Sequence, residues 1–278
     1  MLDFAAGAAP RVAWRDEAGD HAATARLLVG ADGRASMVRE QLGVALHQDA
    51  PHHMFAGLLV DGVEGWDASR QTIGTEGEFN FLTFPQGDGR VRLYGCFPIA
   101  HRRRFTGPEG VAAFLGAFQV ACAPDNRRLA QARPAGPLLT YFNNDAWTDE
   151  PFAPGAVLVG DAAGWNDPII GQGLSITYRD VRLVSDILKV SADWSPAAFA
   201  PYAEERAERM RRLRFAAAIT ATSDAEFGPQ AAERRRRQHE AGATDPSLKL
   251  HTLAVMAGPE ACPPEAFTAE HRARVMAV

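Results

Sequence analysis

The sequence predicts a mixed α/β (α+β) fold in which an antiparallel β-sheet lobe is inserted into an α/β domain, with helices at the C-terminal end. Short apolar strands that end in glycine–aspartate turns occur near residue 30 and again near residue 160. Between them lie β-rich runs separated by a Gly/Pro-rich loop, and helical patterns dominate after residue 170. The 278 residues suffice for one large or two ordinary domains.

The first 45 residues are predicted to form a hairpin that leads into a buried strand. Residues 11–15 alternate polar and apolar side chains, and 25–29 are expected to be the returning strand. The tetrapeptide Gly-Ala-Asp-Gly at 30–33 ends that strand. Ser36 is then expected to cap a short helix over 37–42.

Residues 46–149 are predicted to form a separate lobe built on an antiparallel sheet. Its strands are the β-rich runs at 55–60, 79–84 and 91–97. The segment at 85–90 contains proline and two glycines, which is typical of a hairpin loop. A helix is expected over 111–121, after which prolines and polar residues blur the pattern.

A continuous apolar strand at 156–159 and a helix over 171–190 are predicted next, and residues 191–278 form a C-terminal helical region. The helix is expected to bury one apolar stripe, made of Leu174, Tyr178, Val181, Val184 and Leu188. Further helices are predicted over 201–227 and 231–242, with a short helix at the end.

The segment after the strand at 156–159 is the first of two that carry chemistry. The strand delivers the carboxylate of Asp161 to the carboxyl edge of a sheet, where open α/β sheets bind ligands. A Gly-x-Gly at 171–173 then exposes amide groups at a helix start, which favours negative charge. A flavin fits both features. Its ribitol chain carries hydroxyl groups for the carboxylate, and its N1–C2=O locus, which becomes negative on reduction, suits the helix start.

The second segment, 30–39, presents Asp32 at the end of its strand, with Gly33 in the turn and Arg39 one helical turn further on. A strand followed by aspartate and glycine is common. The structural alternative, in which Asp32 only caps the following helix, therefore stays open.

Together, and in this order around a β-rich lobe, the two segments resemble the motifs of the class A flavoprotein monooxygenases, the para-hydroxybenzoate hydroxylase group. The resemblance implies FAD, with Asp161 on the ribitol, the helix start near the isoalloxazine ring, and Asp32 and Arg39 near the pyrophosphate and adenosine. The cofactor-binding residues it implies are Asp32, Gly33, Arg39, Gly160, Asp161, Ala162, Pro168, Gly171, Gln172, Gly173, Leu174 and Ser175.

The resemblance also implies an oxidoreductase that reduces FAD with NADH or NADPH and hydroxylates a small, often aromatic, substrate. Residues 1–45 and 150–190 would form an FAD-binding Rossmann-like domain, and 46–149 the substrate-binding lobe. Candidate pocket residues are Phe79, Phe81, Tyr94 and Phe97. Strand alternation puts Phe79 and Phe81 on one face, opposite Phe84, so some of these side chains are expected to be ordinary core. No residue is assigned as acid or base, because the flavin performs the hard step.

The sequence departs from the family in several positions. Gly164 stands where the family usually has His, Ile170 where Gly is common, and Ser175 where Asn is usual. The G-x-G-x-x-G turn, on which the family docks the FAD pyrophosphate, occurs nowhere in the sequence. The FAD-binding domain is therefore predicted to be incomplete. We expect poor solubility, or a homodimer that covers the exposed strand edges and apolar faces.

Two other functions stay open on this reasoning. One is a non-catalytic remnant that keeps the substrate lobe but holds no FAD. The other is a related FAD-dependent reductase or halogenase, because these enzymes share the glycine–aspartate motif. The flavin spectrum of the purified protein distinguishes the remnant from the enzymes.

Composition argues against several other classes of protein. With 29 Lys+Arg against 34 Asp+Glu, a net charge of −5 gives no electrostatic reason to expect nucleic acid. The start lacks a signal-peptide pattern, no apolar run reaches the roughly 18 residues that span a bilayer, and the three cysteines form no C-x-x-C. A cytoplasmic protein without a membrane partner is expected. No metal site is expected, because His52-His53 and His239-Glu240 belong to no H-E-x-x-H.

Overall fold

The computed structural model describes residues 3–123 and 126–278. The strands of the described residues are β1 Asp3–Ala5, β2 Arg11–Asp16, β3 Gly19–Thr24, β4 Leu28–Gly30, β5 His47–Gln48, β6 His53–Asp61, β7 Thr72–Glu76, β8 Phe79–Gly87, β9 Arg90–Phe97, β10 Arg133–Pro134, β11 Leu139–Asn143, β12 Ala146–Trp147, β13 Phe152–Ala153 and β14 Ala156–Leu158. The α-helices are α1 Met37–Gln41, α2 Gly110–Ala117, α3 Asn126–Ala130, α4 Gly173–Val190, α5 Ala200–Asp224, α6 Pro229–Thr244, α7 Leu250–Ala257 and α8 Ala269–Ala277. The predicted mixed α/β fold, with antiparallel sheets and C-terminal helices, is confirmed.

The chain divides into two compact units. The first contains the residues up to Asp49 together with 145–217 and 253–263, and the second contains 50–144, 218–252 and 264–278. Residues 191–278, predicted as one C-terminal region, are thus shared between the units, since α5 and α7 each begin in one and end in the other.

The small sheet of the first unit has the order β13-β14-β4, and β14 runs parallel to β4. Val157 and Val159 pack on one face with Val184 of α4, whereas Leu158 packs on the other face with Val38 of α1. Burial on both faces explains why this strand is a continuous apolar run rather than an alternating one.

The N-terminal hairpin differs from the prediction. The strand that returns from β2 is β3, not residues 25–29, because a two-residue turn at 17–18 pairs Asp16 directly with Gly19. Residues 28–30 form the separate strand β4, which pairs with β14. Gly19 makes this tight turn possible, because its φ of +124° is a backbone conformation that residues with a Cβ rarely adopt.

The second unit is built on a six-stranded antiparallel sheet with the path β10-β6-β9-β8-β7 and with β11 also paired to β6. One face of this sheet packs against α2 and forms the main hydrophobic core. The predicted strands correspond to β6, β8 and β9, but β8 continues through the predicted loop as far as Gly87. Strands β7 and β11 were not predicted, because β7 is a short run with little apolar character, Thr-Ile-Gly-Thr-Glu, and β11 pairs with the distant strand β6.

The predicted apolar stripe of α4 is wrong over its first half. Leu174 and Tyr178 are each 70% exposed and Val181 is 44% exposed. The buried face instead runs through Ile176, Asp180 and Val184, of which only Val184 belonged to the predicted stripe. Ile176 packs with Met210 and Leu213 of α5, and this contact fixes the rotation of the helix.

The long helices of the C-terminal part carry many charged side chains. Glu208 of α5 binds Arg211 and Arg212, and Arg236 of α6 binds Glu233 and Glu240, all at the helical spacings of three or four residues. Within the described ranges, no helix combines the length and apolar character needed to cross a bilayer.

Candidate functional site

The two glycine–aspartate turns lie side by side in the first unit. Because β4 and β14 are parallel neighbours, with Gly30 opposite Leu158, both strands end at the same edge of the sheet. The Val159 amide donates to the Gly30 carbonyl at 2.9 Å and extends the pairing to the start of the turns. Ligands of open α/β sheets bind at this kind of edge.

The turn after β14 is a 3₁₀ turn, Gly160–Ala163, whose shape requires glycine at two positions. Gly160 has a φ of +58°, and a Cβ there would lie 2.7 Å from Thr177 Oγ1. Gly164 has a φ of +112°, and a Cβ there would lie 2.5 Å from the Ala146 carbonyl oxygen. A histidine, usual in the family at the second position, is therefore incompatible with this backbone.

Asp161 is the only ionisable side chain of this turn, and its side chain is 37% exposed. Its Oδ2 accepts one long hydrogen bond, at 3.4 Å, from Arg34 Nε. The carboxylate keeps acceptor capacity on its solvent side, which is what recognition of a hydroxyl group requires.

The backbone of the Gly160 turn is hydrogen-bonded to the buried side chain of Arg206 of α5. Its guanidinium donates to the carbonyl oxygens of Gly160, Ala163 and Gly164 at 3.1, 3.0 and 2.9 Å. Its Nε donates to Asp180 Oδ2 at 2.9 Å. A planar guanidinium with donors in a fixed fork is suited to several fixed oxygens at once.

Asp180 completes this buried network from α4. Besides Arg206, its Oδ2 accepts from the Gly160 amide at 2.9 Å, and its Oδ1 accepts from Arg209 Nη2 at 2.6 Å. Tyr202 donates its hydroxyl to the Leu158 carbonyl at 2.8 Å, and burial raises the pKa of its phenol, which keeps it a donor. The turn that presents Asp161 is therefore fixed by fully buried side chains.

Sequence analysis missed this network of Asp180, Arg206 and Arg209. A signal was present, since Asp180 lies four residues from both Ile176 and Val184, on the face of α4 that is apolar and buried. A charge in the middle of a buried helical face indicates an ion pair, although it does not say where the partner lies.

The turn after β4 has a different character. Asp32 accepts hydrogen bonds from Ser36 Oγ at 2.6 Å and from the Val38 amide at 3.1 Å. Burial alone would raise the pKa of Asp32, but these hydrogen bonds outweigh it and lower the pKa. The observed contacts of Asp32 are therefore those of a residue that caps α1, the structural alternative. Gly33 forms the turn, with a φ of +79°.

Arg39 is buried and joins the two turns. Its Nη1 donates to the Ala162 carbonyl and its Nη2 to the Arg34 carbonyl, both at 2.9 Å. The guanidinium is therefore hydrogen-bonded to the backbone of both turns. Its predicted contact with a cofactor stays a prediction, whereas its role in aligning the turns is observed.

The start of α4 is open to solvent. Gly171 is left-handed with a φ of +64°, and a Cβ at Gly171 or at Gly173 would meet nothing within 4 Å. Gln172 does not cap the helix, because its amide donates to the Val255 carbonyl at 2.9 Å. The amides of the first turn have no acceptor within the helix, so this end favours negative charge. Exposed Leu174 and Ser175 follow, and Pro168 begins the preceding 3₁₀ turn.

These features fit the predicted cofactor. A half-exposed carboxylate suits a ribitol hydroxyl, and an uncapped helix start with room above its two glycines suits a ring locus that gains negative charge. Ile170, where the family commonly has glycine, is buried with Ile176 and Met210 and leaves this space open.

The predicted substrate-pocket residues do not lie together. Phe79, Phe81 and Phe97 are fully buried in the core beneath α2, with the rings of Phe79 and Phe114 6.3 Å apart, so they are core residues. Tyr94 lies on the opposite face of the sheet, where its ring is 5.1 Å from that of Phe55. Strand alternation explains the separation, since residues 79, 81, 95 and 97 share one face and residue 94 the other.

No family model matches the chain. The chain is 31% identical to the 3-demethoxyubiquinol 3-hydroxylase of Escherichia coli K12 over 192 residues, which are 68% of this chain and 46% of that protein. It is 27% identical to the kynurenine 3-monooxygenase of Stenotrophomonas maltophilia K279a over 231 residues, 76% of this chain and 48% of that protein.

Among solved structures, the chain is similar to Klebsiella pneumoniae HpxO complexed with FAD and uric acid. The TM-score is 0.66 at 21% identity, covering 83% of this chain and 59% of that one, which shows a shared fold. The chain spans about half the length of the curated relatives that it matches.

Proposed function

We propose that this chain is part of an FAD-dependent monooxygenase-type oxidoreductase, whose flavin is reduced by NADH or NADPH and which hydroxylates a small aromatic substrate. The observation that carries the proposal is the pairing of Asp161, half-exposed on a turn fixed by Arg206, with the open start of α4. The names of the two curated relatives, a hydroxylase and a monooxygenase, support it.

The residues of the first unit would bind and orient the cofactor. Asp161 would accept hydrogen bonds from the ribitol, and the amides of residues 173–175 would face the part of the ring that becomes negative. Once bound, FAD would supply the redox chemistry, taking a hydride from the nicotinamide and reacting with oxygen. The buried Asp180–Arg206 pair would hold this geometry without touching the cofactor.

Substrate recognition is proposed for the sheet face that carries Tyr94. The rings of Phe55, Tyr94, Phe84 and Tyr141 form a chain of aromatic contacts with centroid distances of 5.1 to 6.0 Å. Aromatic ligands pack well against such rings in tilted or edge-on arrangements. We therefore propose an aromatic substrate for this face, in place of the pocket first expected around Phe79.

The proposal is tested by titrating the purified chain with FAD and following the flavin absorbance and fluorescence. Wild type is expected to bind FAD, and Asp161→Ala to bind it at least about tenfold more weakly, because a charge-assisted hydrogen bond is lost. Asp186→Ala is the matched control, since it removes an exposed carboxylate of α4 that pairs with Lys189.

Equal FAD affinity of wild type and Asp161→Ala would contradict the assigned role of Asp161. A folded wild-type chain that ignores added FAD would favour the non-catalytic remnant.

A further inference from the structure

The second unit contains a cavity of about 850 Å³ between the β7–β8 hairpin and the helices α5 and α6. This volume lies within the usual range for small-molecule sites, about 300–1,000 Å³. Its wall combines apolar side chains, Ile73, Pro229 and Ala232, with the polar residues Asn80 and Asp224. None of these residues belongs to the flavin site described above.

Asn80 is a buried amide with an unused acceptor. Its side chain is 2% exposed, and its Nδ2 donates to Thr75 Oγ1 at 2.9 Å and to the Gly74 carbonyl at 3.2 Å. Its Oδ1 has no hydrogen-bond partner within the described part of the chain. A buried acceptor without a donor is costly, which makes it a good place for a ligand donor.

Asp224, the last residue of α5, lies close to Asn80. Thr75 Oγ1, which accepts from Asn80, also donates to the Asp224 carbonyl oxygen at 2.9 Å, so one hydroxyl contacts both residues. Burial raises the pKa of the Asp224 carboxyl to about 6, although the charge of Arg235 opposes the shift. At pH 7.5 the group is therefore a mostly buried carboxylate.

Several other charged side chains of the wall already have partners, including Glu78, which pairs with His101 at 3.3 Å. Arg235 Nη1 donates to the carbonyls of Ser223 and Glu226, at 3.2 and 2.8 Å. Arg236 binds Glu233 and Glu240, and Glu76 accepts the amides of Ala121 and Cys122. Within the described residues, neither Asn80 Oδ1 nor the Asp224 carboxylate accepts a hydrogen bond, and both residues line the cavity beside its apolar wall.

We propose that this cavity binds a small amine with an apolar ring. The ring would pack against Ile73, Pro229 and Ala232, and the ammonium would donate to the Asp224 carboxylate and to Asn80 Oδ1. An ammonium supplies both the missing donors and a charge opposite to that of Asp224. All of these residues belong to the second unit, so the inference does not depend on FAD binding.

The test measures binding of tryptamine to the whole chain at pH 7.5 by isothermal titration calorimetry. Two matched probes share its ring: 3-ethylindole lacks the amine, and indole-3-propionate carries a carboxylate instead. Tryptamine is expected to bind at least about tenfold more tightly than either probe. Asp224→Asn is expected to abolish that preference, and Ala232→Trp to weaken the binding of all three compounds by occupying the wall against which the ring packs.

Glu204→Gln is the control, because it removes an exposed carboxylate from the same helix, α5, and is expected to change nothing. Circular dichroism checks that each variant is folded. The proposal is overturned if tryptamine does not bind to wild type, or if it binds equally to wild type and Asp224→Asn.

Discussion

One buried guanidinium holds the turn on which the proposed cofactor site depends. Arg206 donates to three carbonyl oxygens of residues 160–164 and to Asp180, with a side chain that is 2% exposed. Such a pair adds little net stability compared with apolar residues of the same volume, but removing one partner leaves the other buried and unpaired. Its contacts with three carbonyl oxygens of this turn indicate a positioning role.

Replacing Arg206 by Met should therefore lower the free energy of unfolding by about 3–5 kcal/mol, because the Asp180 carboxylate and three carbonyls lose their donors. Arg211→Met is the matched control on the same helix. The Arg211 side chain is 49% exposed and binds Glu208, so this change should cost less than about 1 kcal/mol. Urea denaturation of both variants measures the difference. Equal losses would show that the buried network does not stabilise the turn.

At the scale of elements, local signals predicted the site better than they predicted the helix that follows it. The glycine–aspartate turns could be found because a continuous apolar run before glycine is a local pattern. The rotation of α4 could not, since residues 174, 178 and 181 are as apolar as the face that is buried. Asp180 made the buried face look polar, and its partners, Arg206 and Arg209, lie 26 and 29 residues further on. The observed rotation goes with non-local contacts, namely the packing of Ile176 on α5 and the ion pairs of Asp180.

The same helix carries our prediction for self-association. Tyr178 and Val181 are exposed apolar side chains of α4, and β4, which contains exposed Val29, is the outer strand of its sheet within the described residues. We propose that a second copy of the chain covers these features, because an isologous contact buries both on each copy. Sedimentation equilibrium should show a dimer for wild type.

A Tyr178→Ser, Val181→Ser double variant should shift that equilibrium toward monomer. Arg182→Ser, a polar change on the same helix, is the control and should leave it unchanged. A wild-type chain that stays monomeric at high concentration would refute the contact.

For the whole molecule, buried titratable groups predict which way stability depends on pH. Burial lowers the pKa of His53 and of His251 to about 4, and neighbouring histidines add to the effect. Such a group binds its proton more readily in the unfolded chain, so stability is lost as pH falls from about 6.5 toward 4. Asp224 acts in the opposite sense, because its raised pKa makes stability fall as pH rises from about 4 to 6.

Two histidines outweigh one carboxyl, so the free energy of unfolding should fall on acidification below pH 6.5, with each histidine contributing up to about 3 kcal/mol. His251→Phe removes one of these titrations and also the buried Nδ1 that has no partner within the described residues. Urea denaturation between pH 4.5 and 7.5 should then show a shallower pH dependence for His251→Phe than for wild type. His239→Phe, which alters an exposed histidine of α6, is the control variant. Parallel curves for wild type and His251→Phe would mean that this histidine is not what makes the fold sensitive to acid.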